Sequence, residues 1–333
     1  MKHLLPVLAM SSVISFFAAI PHSCPAQPSQ RPTRERLTKI QFEELFKQVS
    51  NWGRWGKNDQ LGTLNLITPA IRKQAAALVQ EGVSVSLARD LNTQKSVDNP
   101  EPFHDTMTLG VDEKFNVDTY SVGFHGFAFS HFDALSHTYH EGYVYNGYPS
   151  TAIGQDGAGV LDTALYRDGI FTRGVLVDVP WLRGAPYLKA DAFITAHDLD
   201  SWEAKTGIRI RAGDAVLIRT GRWALRDATG PWDIAKSGAG LDPSAIAWLR
   251  ERDAAFLVSD AAHDAIPSAV DGVDFPIHVL AIVAIGMPLA DQCNLEDVAR
   301  LANKLRRQTF LLTLAPVRIR GGTGALINPI ATF

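Results

Sequence analysis

The sequence predicts an α/β fold, a single domain with a mixed β-sheet and flanking helices. Three observations lead there. Short apolar runs of strand type recur at 83–88, 174–179, 214–220, 254–259 and 310–319. Helical stretches alternate with them instead of collecting at one end, the pattern of a layered α/β architecture. No repeat or low-complexity linker breaks the chain after residue 38, and 333 residues suit one large domain or two small ones. Apolar content of 46% supports a sizeable core, and a net charge of -3 gives no basic excess for nucleic acid.

The elements follow in order. Lys2 and His3 precede an apolar run from Leu4 to Ile20, and Cys24-Pro25-Ala26 offers a small-residue cleavage site. Residues 1–26 therefore read as a signal peptide, giving a periplasmic or secreted protein that begins near Gln27. Residues 27–38 are polar and proline-bearing, a mobile leader before a domain over 39–333. Thr38 caps a first helix, with Gln41 completing the box and Phe42, Leu45 and Phe46 forming its apolar stripe. Residues 51–69 mix turn formers with buried-type residues, an ordered loop packed on the body. A helix is expected over 70–81, a strand over 83–88, a long loop over 90–106, and alternation over 118–129 leading into a histidine-rich segment. Later helices are expected at 196–206, 243–252, 275–285 and 294–306, among the strands already named. No later segment reaches membrane-spanning length without charge, and cleavage leaves Cys293 as the lone thiol, so no intrachain disulfide is expected.

Four of the ten histidines fall between His125 and His140. His131-x-Asp133-x-x-x-His137 sets two imidazoles and a carboxylate within seven residues, with His125 just upstream. On a strand, His131 and Asp133 point the same way because side chains repeat every two residues. Neutral imidazole with carboxylate suits Zn²⁺ or Mn²⁺, and a set of N/O ligands that leaves one position for water is the catalytic arrangement. Gly-x-Ser-x-Gly does not occur, so no serine nucleophile is expected, and Ser130 is read as a support for His131.

Ser130-His131-Phe132-Asp133-Ala134-Leu135-Ser136-His137 resembles the second half of the His-x-Gly-Thr-His-x-Asp-x-Pro-x-His signature of the cyclase family of metal-dependent hydrolases. That family includes bacterial kynurenine formamidase and isatin hydrolase. Gly174–Pro180, Gly213–Gly221, Leu241–Asp264, Phe275–His278 and Asp291–Leu295 continue the likeness in order. The resemblance implies a formamidase-like, swivelling β/β/α fold and a dimer or tetramer. It implies His131 and Asp133 as metal ligands, His137 as general acid/base, and His278 at the metal with Asp291 partnering it or the ion. Two departures mark a divergent branch. Phe127 stands where the family has its first ligand, leaving His125 as a ligand or a substrate contact, and Asp291 replaces the usual Glu.

The implied reaction is arylformamidase-like hydrolysis of an amide, lactam or N-formyl bond in a small aromatic or cyclic substrate. Trp52, Trp55, Phe103, Phe124 and Phe127 are candidates for aromatic walls, and Arg219 and Arg222 for a contact to a substrate carboxylate. Two other classes stay open. One is a cyclase or lyase using the same site for proton transfer, and the other is an exported metal- or small-molecule-binding protein without turnover.

Overall fold

The computed structural model describes Met1 and residues 36–333. The expected signal segment and most of the expected leader lie outside the described residues. Residues 36–38 of that leader are tied down: Arg36 pairs with Asp271 at 2.6 Å, and Leu37 N–H donates to Ala269 O at 2.9 Å. Thr38 then caps α1 (Lys39–Val49) through the expected box with Gln41.

Among the described residues nine strands form one mixed sheet. In chain order the strands of three residues or more are β1 (Ser84–Ser86), β2 (His104–Val111), β3 (Phe115–Ser121), β4 (His131–Asp133), β5 (Ile170–Asp178), β6 (Ala215–Arg219), β7 (Phe256–Ser259), β8 (Leu289–Asp291), β9 (Thr309–Leu314), β10 (Gly324–Leu326) and β11 (Ile330–Thr332). β2 and β3 form a separate hairpin; the other nine lie in the order β1-β11-β9-β5-β6-β7-β8-β4-β10. β5 to β8 run parallel and the outer pairs antiparallel. The parallel core explains why these segments are continuously apolar rather than alternating, since both faces are covered. Val175 and Val177 enter one cluster with Trp202 and Ile246, while Leu176 enters the other with Phe132 and Phe256.

Helices α2 (Pro69–Ala76), α3 (Val179–Arg183), α4 (Ala196–Thr206), α5 (Arg222–Thr229), α6 (Pro243–Glu251), α7 (Pro276–His278) and α8 (Glu296–Leu305) surround the sheet. No helix among the described residues is long and apolar enough to cross a membrane. The helix expected over 70–81 stops at Ala76, because Glu81 and Gly82 turn their N–H groups to Phe333 O at 3.2 and 2.8 Å. The strand expected to 319 ends at Leu314, ahead of Pro316. The alternation at 118–129 splits into β3 and an irregular segment. Three-residue strands such as β8, β10 and β11 are too short to show a period in sequence.

The helix expected over 275–285 starts at Pro276 and continues beyond His278 as a fully buried π-helix, Val279–Ile285. The loop expected over 51–69 covers its far end. Asn51 N–H donates to Ala284 O at 2.9 Å, Asn51 Nδ2 to Ile285 O at 2.9 Å, Trp52 Nε1 to Val283 O at 2.7 Å and Thr63 N–H to Gly286 O at 2.8 Å. These donors satisfy carbonyls that a helix end leaves unpaired. Gly62 has φ +57°, and a Cβ there would fall 1.9 Å from Gly286 O. Gly62→Ala is therefore expected to destabilise the fold by about 2 kcal/mol or more, from backbone strain plus overpacking. Urea denaturation should show a lower midpoint at unchanged slope.

Candidate metal centre

β4 is the shortest route from sequence to site. Its neighbours set a register in which Asp291 lies opposite His131, and Leu289 and Gly324 lie opposite Asp133. Directly paired residues share a face, so His131, Asp133 and Asp291 all point to one side. Phe132 points to the other and packs on Tyr166 and Phe256, with ring centroids 4.8 and 5.9 Å away. The pleat thus buries the aromatic ring and presents the ligand-type atoms.

Other elements converge on this face. His278 enters from α7, with Nε2 at 3.6 Å from both Asp133 Oδ2 and Asp291 Oδ2. His125 reaches in from the irregular segment, with Nδ1 at 3.0 Å from Asp133 Oδ1. It passes over Gly324, where a Cβ would fall 2.5 Å from the His125 ring. His137 follows a tight turn closed by its N–H on Ala134 O at 2.9 Å and stacks on His125 at 4.1 Å. Its Nε2 stands 3.9 Å from Asp133 Oδ2. His125, His131, Asp133, His137, His278 and Asp291, with Gly126, Phe127, Thr138, Ala262 and Phe275, line a cavity of about 270 Å³.

Two three-residue sets meet at Asp133: His125, His131 and Asp133, and Asp133, His278 and Asp291. Within each set the ligand atoms lie within 4.8 Å of one another. Both oxygens of Asp133 and Oδ1 of Asp291 are buried without a hydrogen-bond partner. His125 and His263 stand close to these carboxylates, the latter with Nε2 at 2.9 Å from Asp291 Oδ1, but at angles unsuited to hydrogen bonds. A buried carboxylate left in this way is costly unless a cation compensates it. The residues present fit a divalent ion bound by N and O donors.

The imidazoles are already oriented for that role. His131 Nδ1 is 2.8 Å from Phe129 O, and donating there leaves Nε2 facing the cavity. His278 Nδ1 lies 2.5 Å from Asp264 Oδ2, a carboxylate–histidine pair. Asp264 also accepts the N–H groups of Ile277 and His278 at 2.6 and 3.3 Å, so one side chain caps α7 and aims its histidine. Burial works against a charged His278, yet Asp133, Asp264 and Asp291 hold its pKa well above the usual imidazole value. The same negative field attracts a metal cation. Burial pushes His137 the other way, down to about 4, so it is a neutral base at physiological pH.

Several sequence expectations need correction. Arg219 does not line the cavity: it is buried in ion pairs with Asp178 at 2.9 Å and Glu296 at 2.7 Å. Trp55 is also absent from the lining and lies under the Arg54 guanidinium at 4.7 Å. Phe103 stacks on Tyr120 of the hairpin, and Trp52 packs against Phe46. Ser130 donates to Gln292 O at 2.9 Å rather than holding His131. Arg222 is buried behind the site, donating to Phe127 O and the Gln292 side chain. Phe127 does line the cavity, and Phe124 sits 4.6 Å from the His125 ring. Asp264, Gly324 and Phe275 were missed as site residues. Only the spacing of Asp264 after a buried strand and of Phe275 before His278 hinted at them.

Asp264→Asn keeps an oxygen for the Ile277 N–H but loses the carboxylate on His278. It is expected to weaken divalent-metal binding about 10–100-fold, measured by calorimetric titration, with the circular dichroism spectrum unchanged.

A second acidic and histidine group, Glu43, His140 and Glu141, lies elsewhere. It is spent on its own contacts, His140 to Glu43 at 3.0 Å and Glu141 to Lys39 at 2.8 Å.

Comparison with known proteins bears on the family and the fold. A solved structure described as a novel cyclase superposes with a TM-score of 0.78 at 28% identity, covering 86% of this chain and 99% of that one. An isatin hydrolase bound to the product analogue thioisatinate matches at 0.54 and 22% identity, covering 78% of this chain and 94% of its own. Isatin hydrolase A from Ralstonia solanacearum matches at 0.54 and 23%, covering 79% and 97%. These two share the fold. No curated protein sequence matches. The family model described as "Putative cyclase" matches residues 55–263, and the chain belongs to that cyclase family.

Proposed function

We propose that this protein is a metal-dependent hydrolase acting on an amide, lactam or N-formyl bond of a small aromatic or cyclic substrate. The observation that carries the reading is the convergence of His125, His131, His278, Asp133 and Asp291 on carboxylate oxygens that lack hydrogen bonds, at the floor of a cavity walled by Phe127 and Phe275. The two isatin hydrolases that share the fold support the class of substrate.

His131, Asp133 and His278 would hold the ion, with Asp291 and His125 completing its surroundings; Zn²⁺ and Mn²⁺ both suit this N/O set. Such an ion supplies Lewis acidity, lowering the pKa of water and polarising a carbonyl. The protein's own residues do the rest. His137 is neutral, borders the cavity and keeps 27% of its side chain exposed. It accepts a proton from the attacking water and returns it to the leaving nitrogen. Phe127 and Phe275 flank a planar ring and exclude water from one side. Asp133 balances charge as the proton moves, because it faces all four imidazoles.

Residues 1–26 support export to the periplasm or outside the cell. Amino-terminal sequencing of the mature protein should begin near Gln27; an intact Met1 would remove this part of the proposal.

His137→Ala should retain stoichiometric metal and lose about 10²–10⁴-fold in kcat on isatin or N-formylkynurenine. Metal analysis and steady-state kinetics check this together. A parent protein that binds no divalent metal sinks the reading. Incorporation of ¹⁸O from water into product separates hydrolysis from cyclisation or elimination.

A further inference from the structure

The groups that converge on Asp133 are not equally well held. His131, Asp133 and Asp291 lie in paired strands, and Asp264 caps the helix that carries His278. His125 comes from residues 122–128, which have neither kind of support. No residue from Val122 to Ala128 is buried. Among the described residues, the Phe127 carbonyl is the only backbone group in this stretch with a hydrogen bond. The metal-site cavity lies along one side, lined by Gly126 and Phe127, and Ala128 borders a second, polar cleft of about 770 Å³. Outside the metal centre the His125 ring makes one hydrogen bond, between Nε2 and the Thr323 hydroxyl at 3.3 Å. A stretch with few buried contacts and no ladder opens easily unless something fixes it.

The donor to that carbonyl is Arg222. One arm of its guanidinium binds Phe127 O, and the other binds the side-chain oxygen of Gln292, the residue after Asp291. Gln292 O in turn accepts the Ser130 hydroxyl at 2.9 Å. Arg222 and Gln292 thus tie the cavity wall to the end of the strand that carries Asp291. Arg222 is 4% exposed. Arg219 and Arg226 pair with Glu296 and Asp98, but Arg222 makes no ion pair among the described residues. A buried charge with no carboxylate beside it is costly. Its fork holds two acceptors from separate segments in one plane, which a point charge or an apolar chain does not do. The fork is itself immobilised. Asp260 accepts the N–H groups of Thr220, Gly221 and Arg222 at 2.7, 2.8 and 3.3 Å. The guanidinium lies 4.1 Å over the Trp223 ring, whose Nε1 donates to Cys293 O at 2.9 Å.

We propose, on the metal reading given above, that Arg222 is a positioning residue of the metal centre: by fixing the Phe127 carbonyl it places His125 beside Asp133 and the Phe127 ring along the cavity. Phe127 stands at the family's first ligand position, so this chain brings its imidazole from two residues upstream. That arm has no strand or helix of its own, and Arg222 is the anchor in their place. The sheet and α7 hold the other donors independently. Loss of Arg222 therefore releases His125 and leaves His131, Asp133, His278 and Asp291 where they are.

Loading the protein with Co²⁺ tests this, because the visible bands of that ion report its ligands and geometry without any turnover. Arg222→Met and Arg222→Gln should each still take up stoichiometric Co²⁺. Calorimetric titration should show binding about 10–100-fold weaker than in the parent. The band pattern should be that of His125→Ala. Adding His125→Ala to either variant should change neither reading further, since both changes remove the same ligand. A purely structural role would lower the thermal midpoint and leave the bands of the folded protein as in the parent. That result overturns the proposal, as do double variants whose losses add, or failure of both Arg222 variants to fold by circular dichroism. A parent that binds no Co²⁺ brings down the metal reading and the proposal with it, whereas a parent with normal bands and unaltered Arg222 variants brings down the proposal alone.

Discussion

Asp133 is the constraint around which the rest of the structure is arranged. Its carboxylate is wholly buried, neither oxygen finds a hydrogen-bond donor, and four imidazoles stand 3.0–3.9 Å away. Burial raises a carboxyl pKa, but here the surrounding histidines hold Asp133 well below the usual value, so the group is an anion inside the protein. Such an anion is tolerable only where cationic charge is supplied beside it. Much of the local architecture keeps that place open and aimed.

The supports come from distant parts of the chain. The sheet register sets Asp291 across from His131, and the absent side chain of Gly324 admits His125. Asp264 fixes His278 while capping α7, and the loop at 51–63 closes the far end of the same helix through four donors. A histidine on a fully packed helix loses little orientation, which suits a centre whose ligand positions must hold to fractions of an ångström. His137, by contrast, lies on a turn at the cavity edge and keeps part of its side chain in solvent.

Much of the central architecture was legible because it rests on local pattern. The parallel strands showed as apolar runs, α4 matched its expected span of 196–206, and Thr38 with Gln41 announced the first cap. His131, Asp133 and His137 were legible by spacing. Arg219 and Trp55 misled because residue type alone cannot separate a pocket contact from a buried ion pair or a packed ring. The hairpin was hidden by weak alternation of Thr, Asp and single apolar residues, a pattern that records exposure on both faces.

The sequence by itself determined the class of fold, the donor types and the strand that carries two of them, since pleat and period need only neighbours along the chain. The tertiary structure decided which distant groups join them. His278 and Asp291 arrive from 145 and 158 residues beyond Asp133, and their approach depends on crossover direction, register and the room left by a glycine. Those are properties of packed backbone, fixed only when the sheet closes around its core.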